Sequence, residues 1–352
     1  MHIALDAREA YGIPRTGKGQ WARGFIRELM SRGIPLTLFA DAVSTDRLPV
    51  ASHVTLQSIP QTGIRWHLRV ARMVKQERNF DFYVSPTSYI VPALLGEAKR
   101  CIPIVHDLIA FRSEPHDRRA TLIERLTLGR TLRSACHICT VSESTKIDLL
   151  KQYPSLDPAS ITPIFAGPLR ESPTLTVPDG KTILCVATLC PRKNQLRLIE
   201  AFFMLPNDIR AKHRLLLVGS RGWLDAEIIR MAQFTPGVEW RPYVPDEEYE
   251  KLLSTCTVFA LPSLYEGFGM QILDALQRGI PVLTSDRGSL REVTGDAALY
   301  CDSENVTSIA NSLERLLQDA SLRQRLMQAG PRQAEKFSWK RTVDLFLNVV
   351  RG

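Results

Sequence analysis

The chain has 352 residues, 44% of them hydrophobic, and this length fits two domains of roughly 150–180 residues each. Its seven cysteines follow no disulfide spacing, which indicates a reducing compartment. The N-terminal segment does not resemble a signal peptide, and no apolar run reaches the ~20 residues that cross a bilayer, so we expect a cytoplasmic protein, either soluble or peripheral at the inner membrane face. A formal net charge of +8 permits anionic partners. Because no aromatic-interleaved basic motif accompanies that charge, nucleic acid is not expected among them.

The first half of the chain alternates short apolar runs with helical stretches. Between the first two apolar runs, Gln20–Met30 carries apolar residues at helical spacing. Strands that alternate with helices predict a parallel sheet with helices on both faces. The predicted strands of this half are Ile3–Asp6, Pro35–Phe39, Phe82–Ser85, Ile102–His106 and His137–Val141.

A glycine-rich segment, GIPRTGKG, occupies residues 12–19. It lacks the hydroxyl residue with which a phosphate-binding P-loop holds Mg²⁺, so we do not expect the protein to hydrolyse nucleoside triphosphates. Gly17 and Gly19 also fit a dinucleotide fingerprint, with Asp41 at a suitable distance. Ten residues separate Asp6 from Gly17, however, whereas the fingerprint should follow its strand directly. Because of this departure from the fingerprint, an NAD-linked enzyme is kept only as an alternative.

A basic amphipathic segment lies between the second and third predicted strands. It predicts either a packed helix with a solvated basic face or weak association with an anionic membrane, to which Trp66 would contribute. Helical spacing puts three arginines on one face and apolar residues on another: Arg65, Arg69 and Arg72, with Lys75 close by, against Trp66, Val70 and Met73.

The second half begins after a linker. Residues 165–180, FAGPLRESPTLTVPDG, combine prolines and glycines with little periodicity, which is typical of a connection between domains. A second alternation of strands and helices then predicts a second parallel sheet. Its predicted strands are Thr182–Ala187, Arg214–Val218, Val238–Arg241, Val258–Leu261, Pro281–Thr284 and Ala298–Cys301.

Two loops of the second half carry charged residues where a parallel sheet binds ligands. Arg192 and Lys193 follow the first strand of this half and precede a helix, a place that suits a phosphate group. Glu266 lies in a loop with two glycines, and Asp274 lies in the helix Met270–Gln277 that follows. Both acids could reach one ligand from the carboxyl ends of the strands. There is no D-x-D pair in a suitable loop, so we expect no metal site.

Three segments resemble retaining glycosyltransferase family 4. The segment E-G-F-G begins with Glu266 and is followed by a second acid eight residues later, and this pattern resembles the family's donor-site signature. The second acid of the family is usually Glu, whereas it is Asp274 here. VATLCPRKN resembles G-T-L-x-P-R-K-N, with Ala187 in place of the usual glycine. TGKGQWAR resembles T-G-I-G-R-Y-x-R, in which the glycines approach the donor diphosphate.

The resemblance implies the GT-B fold, in which two Rossmann-like α/β domains face a central cleft. The terminal stretch FSWKRTVDLFLNVV is similar to the family's last helix, which crosses back to the N-terminal domain. We therefore expect an acceptor-binding domain at 1–168, a nucleotide-sugar-binding domain at 169–335 and a crossover helix at 336–352.

The resemblance also implies roles for individual residues. His106, at the end of a predicted strand, should face the donor sugar, and Lys193 should contact the diphosphate. Together with Arg192 and Glu266, these are the expected catalytic residues. The residues expected to bind the donor are Gly17, Gly19, Gly219, Tyr243, Val244, Gly267, Phe268, Gly269 and Asp274.

The expected activity is a retaining, metal-independent transfer of a hexose. The variant of the P-R-K-N segment resembles bacterial mannosyl- and rhamnosyltransferases, so we expect GDP-mannose as donor, without a cofactor. The expected acceptor is a glycan or lipid-linked glycan of a cell-surface polysaccharide or lipopolysaccharide. A rhamnosyltransferase or a UDP-hexose-using enzyme of the same family is the alternative. Outside the glycosyltransferases, the alternatives are an NAD-linked enzyme and an inactive nucleotide- or glycan-binding protein.

Overall fold

The computed structural model describes residues 1–12, 16–41, 51–77, 79–96, 100–113, 117–170 and 177–351. The chain divides into two compact units, the first made of Met1–Arg112, Asp117–Leu169 and Ser338–Gly352, and the second built from Arg170–Phe337. Residues 13–15 of the glycine-rich segment and residues 171–176 of the predicted linker lie outside the described residues.

In the described part of the first unit, seven parallel strands lie in the order β3-β2-β1-β4-β5-β6-β7. The strands are β1 (Ile3–Asp6), β2 (Leu36–Asp41), β3 (Val54–Ile59), β4 (Phe82–Ser85), β5 (Cys101–Val105), β6 (Ile138–Thr140) and β7 (Ile161–Pro163). The helices between them are α1 (Arg8–Tyr11), α2 (Gly17–Ser31), α3 (Gly63–Gln76), α4 (Ile90–Leu95), α5 (Arg118–Ser134) and α6 (Glu143–Gln152).

In the second unit, six parallel strands lie in the order β10-β9-β8-β11-β12-β13 over the residues described. The strands are β8 (Thr182–Val186), β9 (Arg214–Val218), β10 (Val238–Arg241), β11 (Val258–Leu261), β12 (Val282–Thr284) and β13 (Ala298–Tyr300). The helices are α7 (Gln195–Phe203), α8 (Asn207–Arg210), α9 (Ala226–Phe234), α10 (Asp246–Thr255), α11 (Met270–Gln277), α12 (Leu290–Thr294), α13 (Val306–Gln318) and α14 (Ala320–Ala334).

The prediction of two parallel-sheet α/β domains is confirmed. Every predicted strand is present, with its ends within one or two residues. The sequence missed β3 and β7. The first has polar residues between its apolar ones and is only partly buried at the sheet edge, and the second is three residues long, so neither forms an apolar run.

Both sheets reverse their strand order beside their first strand. β1 lies between β2 and β4, and β8 lies between β9 and β11. The loops that leave neighbouring strands at such a switch point diverge to opposite faces of the sheet and open a crevice, in which doubly wound folds bind their ligands. Each unit therefore has one topologically favoured ligand site.

The last helix, α15 (Trp339–Arg351), belongs to the first unit, as the resemblance implied. Trp339 is 4% exposed, donates its indole N–H to the Pro168 carbonyl at 2.8 Å and lies edge-on to Trp21 at 5.9 Å between ring centroids. A Cβ added at Gly24 would lie 2.2 Å from the Trp339 ring. This glycine therefore makes room for the indole.

The expectation that Trp66 contributes to membrane association is wrong. Its side chain is fully buried in a cluster with Phe39 and Tyr83, because apolar residues of α3 face the sheet. The three arginines of α3 are exposed on its outer face, and membrane association through them alone stays a prediction. None of the helices described here combines the length and the apolar character that crossing a bilayer demands.

We predict that Trp339→Ala lowers the free energy of unfolding of the first unit by about 3–5 kcal/mol, since a large buried ring is replaced by a cavity. Urea denaturation measures the effect. The exposed neighbour provides the control, because Lys340→Ala should leave the midpoint unchanged. An unchanged midpoint for Trp339→Ala would show that α15 is dispensable for the first unit.

Candidate active site

Two loops meet at the switch point of the second unit, one after β8 and one after β11. The Leu264 N–H donates to the Arg192 carbonyl at 2.9 Å, and the Arg192 guanidinium donates to the Tyr265 carbonyl at 2.8 Å. Asn194 ends the first loop in a left-handed conformation, with φ 62°, which asparagine tolerates better than most residues. Its side-chain amide donates to the carbonyls of Pro262 and Ser303 at 2.9 and 2.7 Å. The bonds to Leu264, Tyr265 and Pro262 hold the two loops together, and the bond to Ser303 connects them to the segment after β13.

A buried ion cluster lies between the loops. The Glu266 carboxylate accepts from the Lys193 ammonium at 2.5 Å, from the Arg192 guanidinium at 2.9 Å and from the Ser263 hydroxyl at 2.7 Å. Glu266 is 5% exposed and Lys193 is also buried. Two cations against one carboxylate leave the cluster with a formal charge of +1. The sequence predicted these three charged residues separately, and the structure brings them into direct contact.

The Glu266 carboxyl is ionised at any physiological pH. Burial would raise its pKa, but Lys193, Arg192 and the hydrogen bond from Ser263 outweigh burial and hold the pKa at about 2. Because the folded pKa is lower than that of an unfolded chain, this group stabilises the fold above its ordinary titration range. The contribution is lost only as the pH falls from that range toward 2.

The cluster has the chemistry to hold a ligand with both an anionic and a hydroxyl-bearing part. Lys193 and Arg192 can neutralise a phosphate, and Glu266 can accept hydrogen bonds from hydroxyl groups. α11 begins at this loop, after Gly269, whose φ of 94° an L side chain rarely adopts. Backbone N–H groups at a helix N-terminus also favour anions.

Asp274 lies in a second cluster. It is 0% exposed and accepts a hydrogen bond from the Tyr249 hydroxyl at 3.0 Å. Arg278 donates to the Asp274 carbonyl at 2.9 Å and pairs with Glu250. Glu266 and Asp274 thus have different hydrogen-bond partners, and their binding of one ligand stays a prediction.

The other predicted donor-binding residues of the second unit differ in their packing and in their exposure to solvent. A Cβ at Gly219 would lie 2.0 Å from the Ala187 carbonyl oxygen, so the close approach of the loops after β8 and β9 requires a glycine there. Gly267 and Phe268 are buried, and the Phe268 ring packs edge-on against Phe337 at 5.5 Å. Tyr243 is 53% exposed, whereas its neighbour Val244 is half-buried.

The predicted residues of the first unit lie on α2 and after β5. His106 is buried, and its Nε2 lies 2.6 Å from the Pro86 carbonyl oxygen, which fixes the proton on Nε2 because a carbonyl only accepts. Burial, followed by the charge of Lys18, lowers the pKa of His106 to about 4, so the ring is neutral at pH 7. Gly17 opens α2 with free space around it, whereas a Cβ at Gly19 would lie 2.3 Å from the Glu9 carbonyl oxygen.

Three residues that contact the predicted site residues were missed by sequence reasoning. Ser263 carries a recognisable signal, since it lies three residues before Glu266 in the same loop. Asn194 closes the P-R-K-N segment and could have been read as a left-handed turn residue. Tyr249 had no signal, because an aromatic residue in an amphipathic helix is indistinguishable from ordinary core.

The sequence of the chain is similar to that of known glycosyltransferases. Residues 171–333 match the model of the glycosyl transferases group 1 family. The O-antigen chain mannosyltransferase B of Escherichia coli is 28% identical over 381 aligned residues, which cover 99% of each chain.

Solved glycosyltransferases share the fold over the full length. Sucrose-phosphate synthase from Thermosynechococcus elongatus superposes with a TM-score of 0.81 at 17% identity, covering 100% of this chain and 98% of that one. Anabaena HepE, solved in complex with UDP and glucose, gives a TM-score of 0.76 at 16% identity with the same coverage. The chain is therefore a glycosyltransferase of the GT-B fold, and its residues 171–333 form a glycosyl transferases group 1 domain.

Proposed function

We propose that this glycosyltransferase moves mannose from GDP-mannose onto a growing glycan of a cell-surface polysaccharide or lipopolysaccharide, with retention at the anomeric carbon and without a metal ion. The observation that carries the proposal is the buried cluster of Arg192, Lys193 and Glu266. Similarity to an O-antigen mannosyltransferase along the whole chain supports the sugar and the acceptor class.

The two cations are suited to the leaving group. When the bond between the sugar and the diphosphate breaks, negative charge grows on the phosphate oxygen, and cations already in place stabilise that charge without reorganisation. Lys193 and Arg192 are held in place by Glu266 and by the loop contacts. They would supply the charge that a divalent metal supplies in metal-dependent transferases.

Retention follows from a front-face displacement. The acceptor hydroxyl attacks the anomeric carbon from the side that the diphosphate leaves, and the departing phosphate oxygen takes the acceptor proton. This route needs no protein nucleophile. Because the Nε2–H of the uncharged His106 is donated to Pro86, its Nδ1 would accept a hydrogen bond from a sugar hydroxyl.

The acceptor would bind to the first unit and the donor to the second. A cytoplasmic location, peripheral at the inner membrane face, fits such a substrate. UDP-hexoses and nucleotide-linked rhamnose are the alternative donors. The first is favoured by HepE, a protein of the same fold that was solved with UDP and glucose.

We predict that Lys193→Ala lowers kcat by about 10²-fold or more, because a stabiliser of the leaving group is lost. Nucleotide release from the donor measures the rate, and the exposed Lys212→Ala of the same unit is the control. In the wild-type reaction, EDTA should cause no loss, and NMR of the product should show the anomer of the donor. Inactivation by EDTA, or an inverted product, would contradict the mechanism.

The donor is tested by thermal shift of the full chain with GDP-mannose, GDP, UDP and dTDP. We expect GDP and GDP-mannose to raise the melting temperature most, since only a ligand that binds the native state stabilises it. A shift with UDP alone would replace GDP-mannose by a UDP-hexose, and a shift with dTDP alone would favour a rhamnosyl donor. A chain stabilised by no nucleotide would contradict nucleotide-sugar binding altogether.

We expect Asp274→Asn to raise the KM for the donor by about 10–100-fold with little change in kcat, as loss of a hydrogen bond to a charged group does. The reason is that Asp274 would hold the ribose hydroxyls in place of the usual glutamate. Tyr249→Phe removes one hydrogen bond to Asp274 but keeps the carboxylate, so it should not raise KM. An unchanged donor KM in Asp274→Asn would show that the shorter acid has lost this role.

A further inference from the structure

A groove of about 510 Å³ lies between α3 and the edge strand β3 of the first unit. Residues 57–61, at the end of β3 and in the loop after it, supply one wall, and one side of α3 supplies the other. Because β2 separates β3 from β1, the groove lies away from the switch point between β1 and β4. It is therefore a different place from the ligand site that the sheet topology favours.

Three arginines of α3 line the groove, Arg65, Arg69 and Arg72. Their spacing of four and three residues sets them on one face of the helix. All three are exposed, and no ion pair or hydrogen bond joins their guanidinium groups to another described residue. By contrast, the partly exposed Arg32 and Arg241 each pair with two carboxylates. The described lining of the groove contains no acidic side chain, so its positive charge is not neutralised from within.

The outer edge of β3 is open over the described part of the chain, because β3 ends the sheet. The Leu36 N–H donates to the His53 carbonyl at 2.9 Å, which means that residues 53, 55, 57 and 59 form the ladder with β2. The backbone N–H and C=O of Leu56 consequently point away from β2, toward the open edge. An edge of this kind can pair with an extended segment of another chain.

An extended acidic segment matches both walls of the groove. Its carboxylates would accept paired hydrogen bonds from the guanidinium groups, and its backbone would pair with β3. Every second side chain of an extended segment lies on the same side, about 6.6 Å apart. That repeat is close to the rise of about 6 Å along α3 from Arg65 to Arg69. Leu68 and Met73, which also line the groove, would contact apolar side chains of the segment.

Other anionic partners fit less well. A bilayer surface is broad and does not enter a groove, and the buried Trp66 cannot anchor α3 in a membrane. A small phosphorylated ligand would use the arginines but leave the edge of β3 unpaired. Single-stranded nucleic acid binds where bases stack on aromatic side chains, and the described lining contains none.

We propose that this groove docks an acidic, extended segment of a partner protein, which adds to β3 as a further strand and pairs its carboxylates with Arg65, Arg69 and Arg72. The inference goes beyond sugar transfer, because the groove shares no residue with the ion cluster of the second unit or with the switch point of the first. Docking of this kind would place the enzyme in a complex with another protein.

Fluorescence anisotropy with the full chain tests the docking, and the probe is a labelled peptide of alternating glutamate and valine. The groove variant replaces the three arginines of the groove by glutamine: Arg65→Gln, Arg69→Gln and Arg72→Gln. The matched control replaces three exposed arginines of α5, so that both variants lose the same charge: Arg118→Gln, Arg119→Gln and Arg130→Gln. The melting temperature of each variant checks that it is folded.

We expect the wild type and the control variant to bind the peptide, and the groove variant to bind it at least about tenfold more weakly. Binding should weaken as salt is added, because the charges are exposed. Strand pairing also predicts an alternation along the peptide. N-methylation of one set of alternate amides should weaken binding at least about fivefold, since those N–H groups meet β3, whereas methylation of the other set should have little effect.

Equal losses of affinity in the two triple variants would reveal a general attraction to positive charge and would overturn the docking site. Equal effects of the two N-methylated peptides would overturn the pairing with β3, and this arm uses only the wild type. Vesicles of phosphatidylcholine and phosphatidylglycerol are the second probe. If the peptide fails to bind the wild type at low salt, the proposal falls, and vesicle binding that is lost in the groove variant alone would then assign the arginines to a membrane.

Discussion

The contact between Lys193 and Glu266 joins the two loops on which the donor-site proposal depends. A buried charge is tolerated only when it is paired and hydrogen-bonded, and each of these two residues helps to satisfy the other. The carboxylate is satisfied from three directions, by Lys193, Arg192 and Ser263. The cluster therefore fixes the loops after β8 and β11 relative to each other before any ligand arrives. Such preorganisation is what electrostatic catalysis requires.

The two units share a topology but differ in the charges of their loops. The switch point of the second unit presents two cations around one carboxylate, whereas beside that of the first unit Arg8 pairs with Asp6 and Lys18 pairs with Glu124. A doubly wound sheet dictates where a ligand binds but not which ligand, because the loops are free to vary. In this chain, the loop charges of the second unit suit an anionic ligand.

Several residues that look functional in the sequence have a structural reason as well. A Cβ added at Gly19 or Gly219 would clash with a backbone carbonyl, so close packing alone requires glycine at both positions. Phe268 packs against Phe337. Gly17 differs, because open space surrounds it, and its glycine is not explained by packing. A motif therefore mixes residues that meet the ligand with residues that shape the backbone.

The sequence by itself determined the fold class, nearly all the strands and the charged residues of both loops. Apolar runs report burial directly, and loop positions follow from strand ends. Edge strand β3 was missed because its partial exposure removes that signal, and β7 was missed because it is only three residues long. Only the tertiary structure decided which side chains meet: that Arg192 and Lys193 share Glu266, that Asp274 pairs with Tyr249, and that Trp66 is core rather than surface. These contacts join residues 25 to 74 positions apart or depend on which helix face meets the sheet, and spacing along the chain does not encode either.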